Sequence, residues 1–315
     1  MNLFDPPCQL HVPVLLIVFN RPKTTKLVFE AIRKAKPTRL YIAGDGPRKA
    51  VKNDAELCAE VRNIVDHVDW ECEVKTLFSV ENQNCGIGPS TAITWFFDHE
   101  EEGIILEDDC LPSQSFFWFC QSLLEHYRND YRVMHIGGNN FLQGWTKDKD
   151  YSYYFSRSGF IWGWATWRRA WKKFDFKISQ YAKARQSGLF HRYFPTATEK
   201  MYRFRKWDQT LAKRNVDWWD YQWDFARYAN SGLAIVPHIN LVKNIGFGEL
   251  ATHTTNLNSK NTNMEAHDIS FPLHHPPFMI RDVVSDKKYF KIMMKDILSS
   301  KLKSLIKNPF QMIQG

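Results

Sequence analysis

The run GIILEDDC at 103–110 sets three carboxylates, Glu107, Asp108 and Asp109, side by side at the end of an apolar stretch. Adjacent carboxylates repel one another, so the arrangement is stable only where a cation, ligand hydroxyls or backbone amides share the charge. The chemistry open to it is coordination of a divalent cation that carries a diphosphate; the alternative is an idle, solvated acidic turn. A second acidic group, Asp217, Asp220 and Asp224, lies in the tryptophan-rich run DWWDYQWD. One carboxylate there could take a proton from an attacking hydroxyl, and the competing role for any one of them is a helix cap. Upstream, Arg21 could bond phosphate oxygens bidentately, or merely pair with Asp45 to brace a turn. The glycine-rich segment 84–90 (NCGIGPS) opens a helix whose amides favour phosphate, although its spacing is not that of a P-loop.

These residues need elements that bring them together. Apolar run 12–19 predicts a strand, 24–35 a helix, 39–43 a strand, 53–65 a helix and 73–79 a strand. A glycine turn at 84–90 then leads into a helix through 97, and 103–106 is a fourth strand, buried on both faces, that delivers the acidic triad to its C-terminal end. Four strand–helix units in about 110 residues imply a doubly wound, mostly parallel α/β sheet with helices on both faces. Beyond 111 the pattern changes to a helix at 115–127, strands at 132–136 and 151–156, and tryptophan-studded helices, read as a second half on the same sheet. Three segments follow: 1–112 as the donor-binding half, 113–262 as the acceptor-binding and catalytic half, and 263–315 as a C-terminal extension. The Gly-, Thr- and Asn-rich stretch 244–263 reads as a mobile loop and lid. The tail 286–307 interleaves apolar residues with seven lysines, a basic amphipathic helix suited equally to a membrane interface or to docking on its own protein or a partner.

With 315 residues, 44% of them hydrophobic, the chain can build a substantial core. Its 12 tryptophans serve mainly packing; Trp162, Trp164 and Trp167 are assigned to the core, and Trp219 to an acceptor platform. The formal charge of +8 favours anionic partners. Six cysteines without CxxC pairs or ligand-like spacing to histidine argue against a zinc site or a disulfide framework and for reduced thiols. No signal-like N-terminus or ~20-residue apolar run is present, so a cytoplasmic protein, peripheral on the inner face of a membrane through its basic tail, is expected.

From 12 to about 253 the motifs LLIVFNRP, YIAGDG, NCGIGPS, ILEDDCLPSQSFFWF, RSGFIWGWATW and WWDYQW with GLAIVPHINLVKNIGFG resemble, in order and spacing, the N-acetylglucosaminyltransferase I family of metal-dependent inverting glycosyltransferases with the GT-A fold. The resemblance implies transfer of a sugar, such as N-acetylglucosamine, from a UDP-sugar to a hydroxyl of a glycan or lipid-linked glycan in surface polysaccharide synthesis. It implies Asp109 as the ligand of Mn²⁺ or Mg²⁺, Asp108 as a ribose contact, Glu107 as a contact to the transferred sugar, Arg21 and Asp45 at the phosphate and base, and Asp220 as the general base. Asp217 and Asp224 stand as substitutes for Asp220, and His253 as a second metal ligand or a surface histidine without a role. No nucleic acid partner is expected. Two other readings stay open from the residues alone: a metal-dependent nuclease or phosphoryl-transfer enzyme with both acidic groups holding ions, and a non-catalytic glycan-binding module.

Overall fold

A computed structural model of the chain describes residues 4–142, 144–190, 193–246 and 264–307, with side chains described as far as 299. Its first third follows the expected alternation: β1 (Val14–Val18), α1 (Pro22–Ala35), β2 (Arg39–Gly44), α2 (Asp54–Arg62), β3 (Glu73–Phe78), α3 (Asn84–His99) and β4 (Glu102–Glu107). After these come β5 (Cys110–Pro112), α4 (Ser115–His126), β6 (Val133–Gly137), β7 (Tyr153–Ser156), β8 (Trp164–Trp167), α5 (Arg168–Trp171), α6 (Tyr181–Gln186), α7 (Ala197–Ala212), α8 (Asp220–Ala229), β9 (Leu233–Pro237), β10 (Val242–Asn244) and α9 (Val283–Lys307).

Eight strands form one sheet in the order β3-β2-β1-β4-β8-β6-β9-β7, and β5 pairs with β10 in a separate two-stranded ribbon. The expected α/β architecture is therefore present. β1 is parallel to β2 and β4, β2 to β3, and β6 to β9, while β8 and β7 run antiparallel to their neighbours. The chain winds outward from β1 to β3 and then returns to the far side of β1 with β4, so the order reverses between β1 and β4. In an open α/β sheet the crevice beyond the strand ends at such a reversal is where ligands bind.

Strand residues alternate between two cores, which is why the strands read as unbroken apolar runs. Val14, Leu16 and Val18 of β1 join Val28, Phe29 and Ile32 of α1 and the aromatic face of α4 (Phe116, Phe117, Phe119). On the other face Leu15, Tyr41 and Ile105 meet Ile93, Phe96 and Phe97 of α3 with Trp164, Trp171, Trp219 and Trp223. A third cluster, around Trp207, Tyr181, Phe190, Phe225 and Tyr228, packs α6 and α7 onto α8.

Two elements differ from expectation. The segment around WATW, read as helical, supplies β8, a strand buried at all four positions and inserted antiparallel between β4 and β6. Four residues are too few to show a period, and the strand preference of tryptophan and threonine decided it only with neighbours on both sides. The turn expected at 84–90 is already helix: α3 begins at Asn84, whose side-chain Oδ1 accepts from the amides of Gly86 and Ile87 at 2.9 and 3.2 Å. Of the loop expected at 244–263, Asn244 belongs to β10, and 247–263, His253 included, lie outside the described residues. The tail is helical from Val283 and docks on its own protein through Phe290, which is buried, and Tyr289, whose ring lies 4.7 Å from Phe160 and 6.1 Å from Phe141. All six cysteines are free thiols.

Candidate functional site

The strand ends at the reversal carry the acidic triad and Arg21. Ile17 of β1 pairs in register with Glu107 of β4, so the turn after β1 and the triad after β4 are neighbours by construction. Pro22 opens α1 immediately, and Thr25 Oγ1 donates to the Arg21 carbonyl at 2.7 Å, which fixes the turn that presents the guanidinium. Arg21 Nη1 donates to Asp108 Oδ1 at 3.0 Å and to Asp109 Oδ2 at 2.9 Å. Asp108 also accepts from the Phe19 amide at 3.0 Å and is only 4% exposed. Asp108, expected at a ribose, thus holds the first turn onto the end of β4, and the partly open carboxylates of the triad are Glu107 and Asp109.

One guanidinium does not balance three carboxylates. Burial, then Asp109 and Asp108, raise the proton affinity of Glu107 against the pull of Arg21, with Asp220 adding to the negative potential. Asp108 is raised likewise by burial and Asp109. A hard cation with oxygen ligands, such as Mn²⁺ or Mg²⁺, would offset such charge, and Glu107 and Asp109 are the carboxylates open enough to meet one. Among the described residues no group of three acidic, histidine or cysteine side chains is placed to hold a metal ion by itself. The chain passes closely over the Asp109 carboxylate: Ile245 donates to the Asp109 carbonyl at 2.8 Å, and a Cβ on Gly246 would stand 2.1 Å from Asp109 Oδ2, which leaves room only for glycine.

Asp45 lies at the end of β2, where its carboxylate accepts from the amides of Gly46 and Gln83 at 2.8 Å and from Asn82 Nδ2 at 3.0 Å. It locks the β2 turn to the start of α3. The α3 start in turn touches the second acidic group, since a Cβ on Gly86 would fall 2.5 Å from the Val216 carbonyl. Burial raises the thiol of Cys85 beside it, and Glu107, Asp45 and Asp217 add to that rise against the pull of Arg21. Sequence reading passed over Cys85; its place inside NCGIGPS was the available signal.

Asp220 begins α8, where the first-turn amides of a helix favour a carboxylate. Burial, then Asp224, push it up to about 6, a value suited to a base at neutral pH. Its substitutes are engaged elsewhere. Asp224 is clamped between two buried arginines, Arg203 and Arg227 (2.9 Å to Arg227 Nη2), and Asp217 pairs with Lys213 at 3.0 Å. Asp220 opens on a cavity of about 200 Å³ whose walls include Phe141, Phe160, Trp162, Tyr202 and Tyr289 with Arg203 and Arg227. A larger depression, about 370 Å³ between α3 and α5, carries none of these acidic residues.

Trp219 is not an acceptor platform. It is 4% exposed and stacks on Trp164 at 5.8 Å inside the core, because the residue preceding α8 points at the sheet. Trp164 and Trp167 are core as expected, and Trp162, half-buried, packs on the core while also lining the cavity, edge-on to Phe141 at 5.1 Å. Gly163, at φ +69°, separates it from β8.

No family model matches the chain, and no curated protein matches it. Among solved structures, the mannosyltransferase PcManGT from Pyrobaculum calidifontis in complex with GDP-Man and Mn2+ aligns over 52% of this chain at 12% identity and a TM-score of 0.35. This chain spans 46% of that protein's length. Apo-UDP-glucose pyrophosphorylase aligns over 72% of this chain and 90% of its own, at 9% identity and a TM-score of 0.35. HddC from Yersinia pseudotuberculosis aligns over 50% and 77%, at 10% identity and a TM-score of 0.31. Likenesses this distant carry no activity from those proteins to this one.

Proposed function

We propose that the protein is a metal-dependent, inverting glycosyltransferase that moves a sugar from a UDP-sugar to a hydroxyl of a glycan or lipid-linked glycan. The observation that carries the reading is the meeting of Arg21 with Asp108 and Asp109 beside Glu107 at the sheet reversal, with the start of α3 packed against Val216 and Trp218 just ahead of Asp220. Arg21 and the α3 start face the diphosphate, Asp45 the base end, Glu107 the transferred sugar and Asp109 the divalent ion. When bound, that ion supplies neutralisation of the departing diphosphate's charge. Asp220 accepts the proton of the acceptor hydroxyl as its oxygen attacks the anomeric carbon on the face opposite the diphosphate. Phe160, Trp162 and Tyr202 offer ring faces to the acceptor sugar and keep water out.

Phosphoryl transfer with two ions finds less support, since Asp217 and Asp224, which would supply the second acidic cluster, are held by Lys213 and by Arg203 with Arg227. The test is a panel of UDP- and GDP-sugars, read by thermal shift with and without Mn²⁺ and by release of nucleoside diphosphate. Stabilisation by a UDP-sugar that needs the ion supports the reading; Mn²⁺-dependent DNA hydrolysis with no response to any nucleotide sugar overturns it.

A further inference from the structure

One helix of this protein carries two unlike faces. Along α9, Phe290 is buried, and Tyr289 and Met293 form part of the cavity beside Asp220. Lys287, Lys291 and Lys295 recur every four residues and so share a single stripe, which is exposed throughout. Tyr289 and Met293 are offset from that stripe by two positions, about 200° around the helix, and therefore face the other way.

The segment leading into the helix has the complementary property. Residues 278–284 run out of an extended stretch joined to edge strand β7 by a bridge between Phe155 and Arg281, with Asp282 donating to the Phe155 carbonyl at 2.7 Å. Met279 packs on the core and Arg281 is bound to Asp286, while the alternate residues Phe278 and Ile280 stand out at 70% and 72% exposure. Val284 is 52% exposed beside them. Lys288, over the Trp145 ring at 4.4 Å, and Lys147, 3.8 Å from Asp282, add cationic groups to the same neighbourhood. Protruding apolar side chains in the segment that leads directly into a regular row of exposed lysines are an unusual surface for a protein in water alone. Together they match an anionic lipid surface, whose headgroups pair with lysine and whose acyl boundary accepts phenylalanine and isoleucine.

We infer that the 278–295 face, Phe278, Ile280 and Val284 with Lys287, Lys291 and Lys295, docks on an anionic membrane, with the apolar face of α9 kept against the protein rather than in the lipid. The contact stands independently of the glycosyltransferase reading. Its consequence, that the Asp220 cavity on the far side of the same helix takes an acceptor drawn from that membrane, rests on it.

The experiment is sedimentation of the full chain with phosphatidylcholine vesicles, with and without phosphatidylglycerol, at low and high salt. Binding is expected only with the anionic lipid and is weakened by salt. Replacing the three stripe lysines by Gln should lower partitioning about a hundredfold, at roughly fivefold per charge. Phe278→Ser with Ile280→Ser should lower it about tenfold independently. Both variants alter exposed side chains and should melt like the parent. Equal binding to neutral vesicles, absence of binding, or unchanged partitioning of either variant overturns the inference. So does a dimer in light scattering that Phe278→Ser with Ile280→Ser dissociates, which would make a second copy the occupant. Loss of lipid binding leaves donor-dependent thermal shifts untouched, so the two proposals fail separately.

Discussion

The two halves of the site are built by different means. On the β1–β4 side, every residue of interest sits at the end of a strand or the start of the next helix: Arg21, Asp45, Cys85 and Glu107 to Asp109. Sheet register alone brings them together, and their hydrogen bonds are short connections between neighbouring turns. On the α7–α8 side, Asp220 is presented by a helix that rests on a tryptophan cluster and on a buried Arg203–Asp224–Arg227 triad, with α9 as an outer wall. The first half is held by carboxylates that bond amides and a guanidinium of neighbouring turns, on top of the sheet register. The second depends on desolvated charges and packed rings, so it should be the more fragile to substitution and the more open to changes of acceptor.

The sharpest test separates chemistry from donor binding. Asp220→Asn should lower transfer by about 10²–10⁴-fold while the thermal shift from donor and Mn²⁺ persists. Because the folded-state proton affinity of Asp220 is raised, its ionised form opposes folding above pH 6, so this variant should melt no lower than the parent at pH 8. Loss of the donor shift in Asp220→Asn would mean that the halves are not separable.

Fragility comes next. Asp224→Ala leaves two buried guanidinium groups without their shared carboxylate and should cost about 3–5 kcal/mol in urea unfolding. Trp219→Ala should cost about 3–5 kcal/mol through the cavity left in the core. If either variant were as stable as the parent, the contrast between the halves would collapse.

The pH profile gives a smaller effect. A base at about 6 must be unprotonated, so kcat should be constant above pH 7 and fall about tenfold per unit well below 6. In Asp220→Asn that limb should vanish. Smallest is Trp162→Ala, which removes one cavity ring and should raise the KM for acceptor by about fivefold with the donor shift unchanged, as expected for a stacking contact of about 1 kcal/mol. A rise in donor KM instead would place Trp162 in the wrong half.

The amino-acid sequence determined the alternation of strands and helices up to β4, the burial of both faces of β4, and the placement of Arg21, Asp45 and the acidic triad at strand ends. Those features rest on local patterns, since apolar runs, punctuating glycines and charged turns all act within ten residues or so. Tertiary structure decided what local pattern leaves open. It made WATW a strand by giving it β4 and β6 as neighbours, buried Trp219 and set Trp162 on the cavity wall, committed Asp224 to two arginines, and laid α9 against the Asp220 cavity. These depend on partners outside any local window, such as β4 for WATW, Arg203 for Asp224 and α9 for Asp220, and burial, not residue type, sets the outcome.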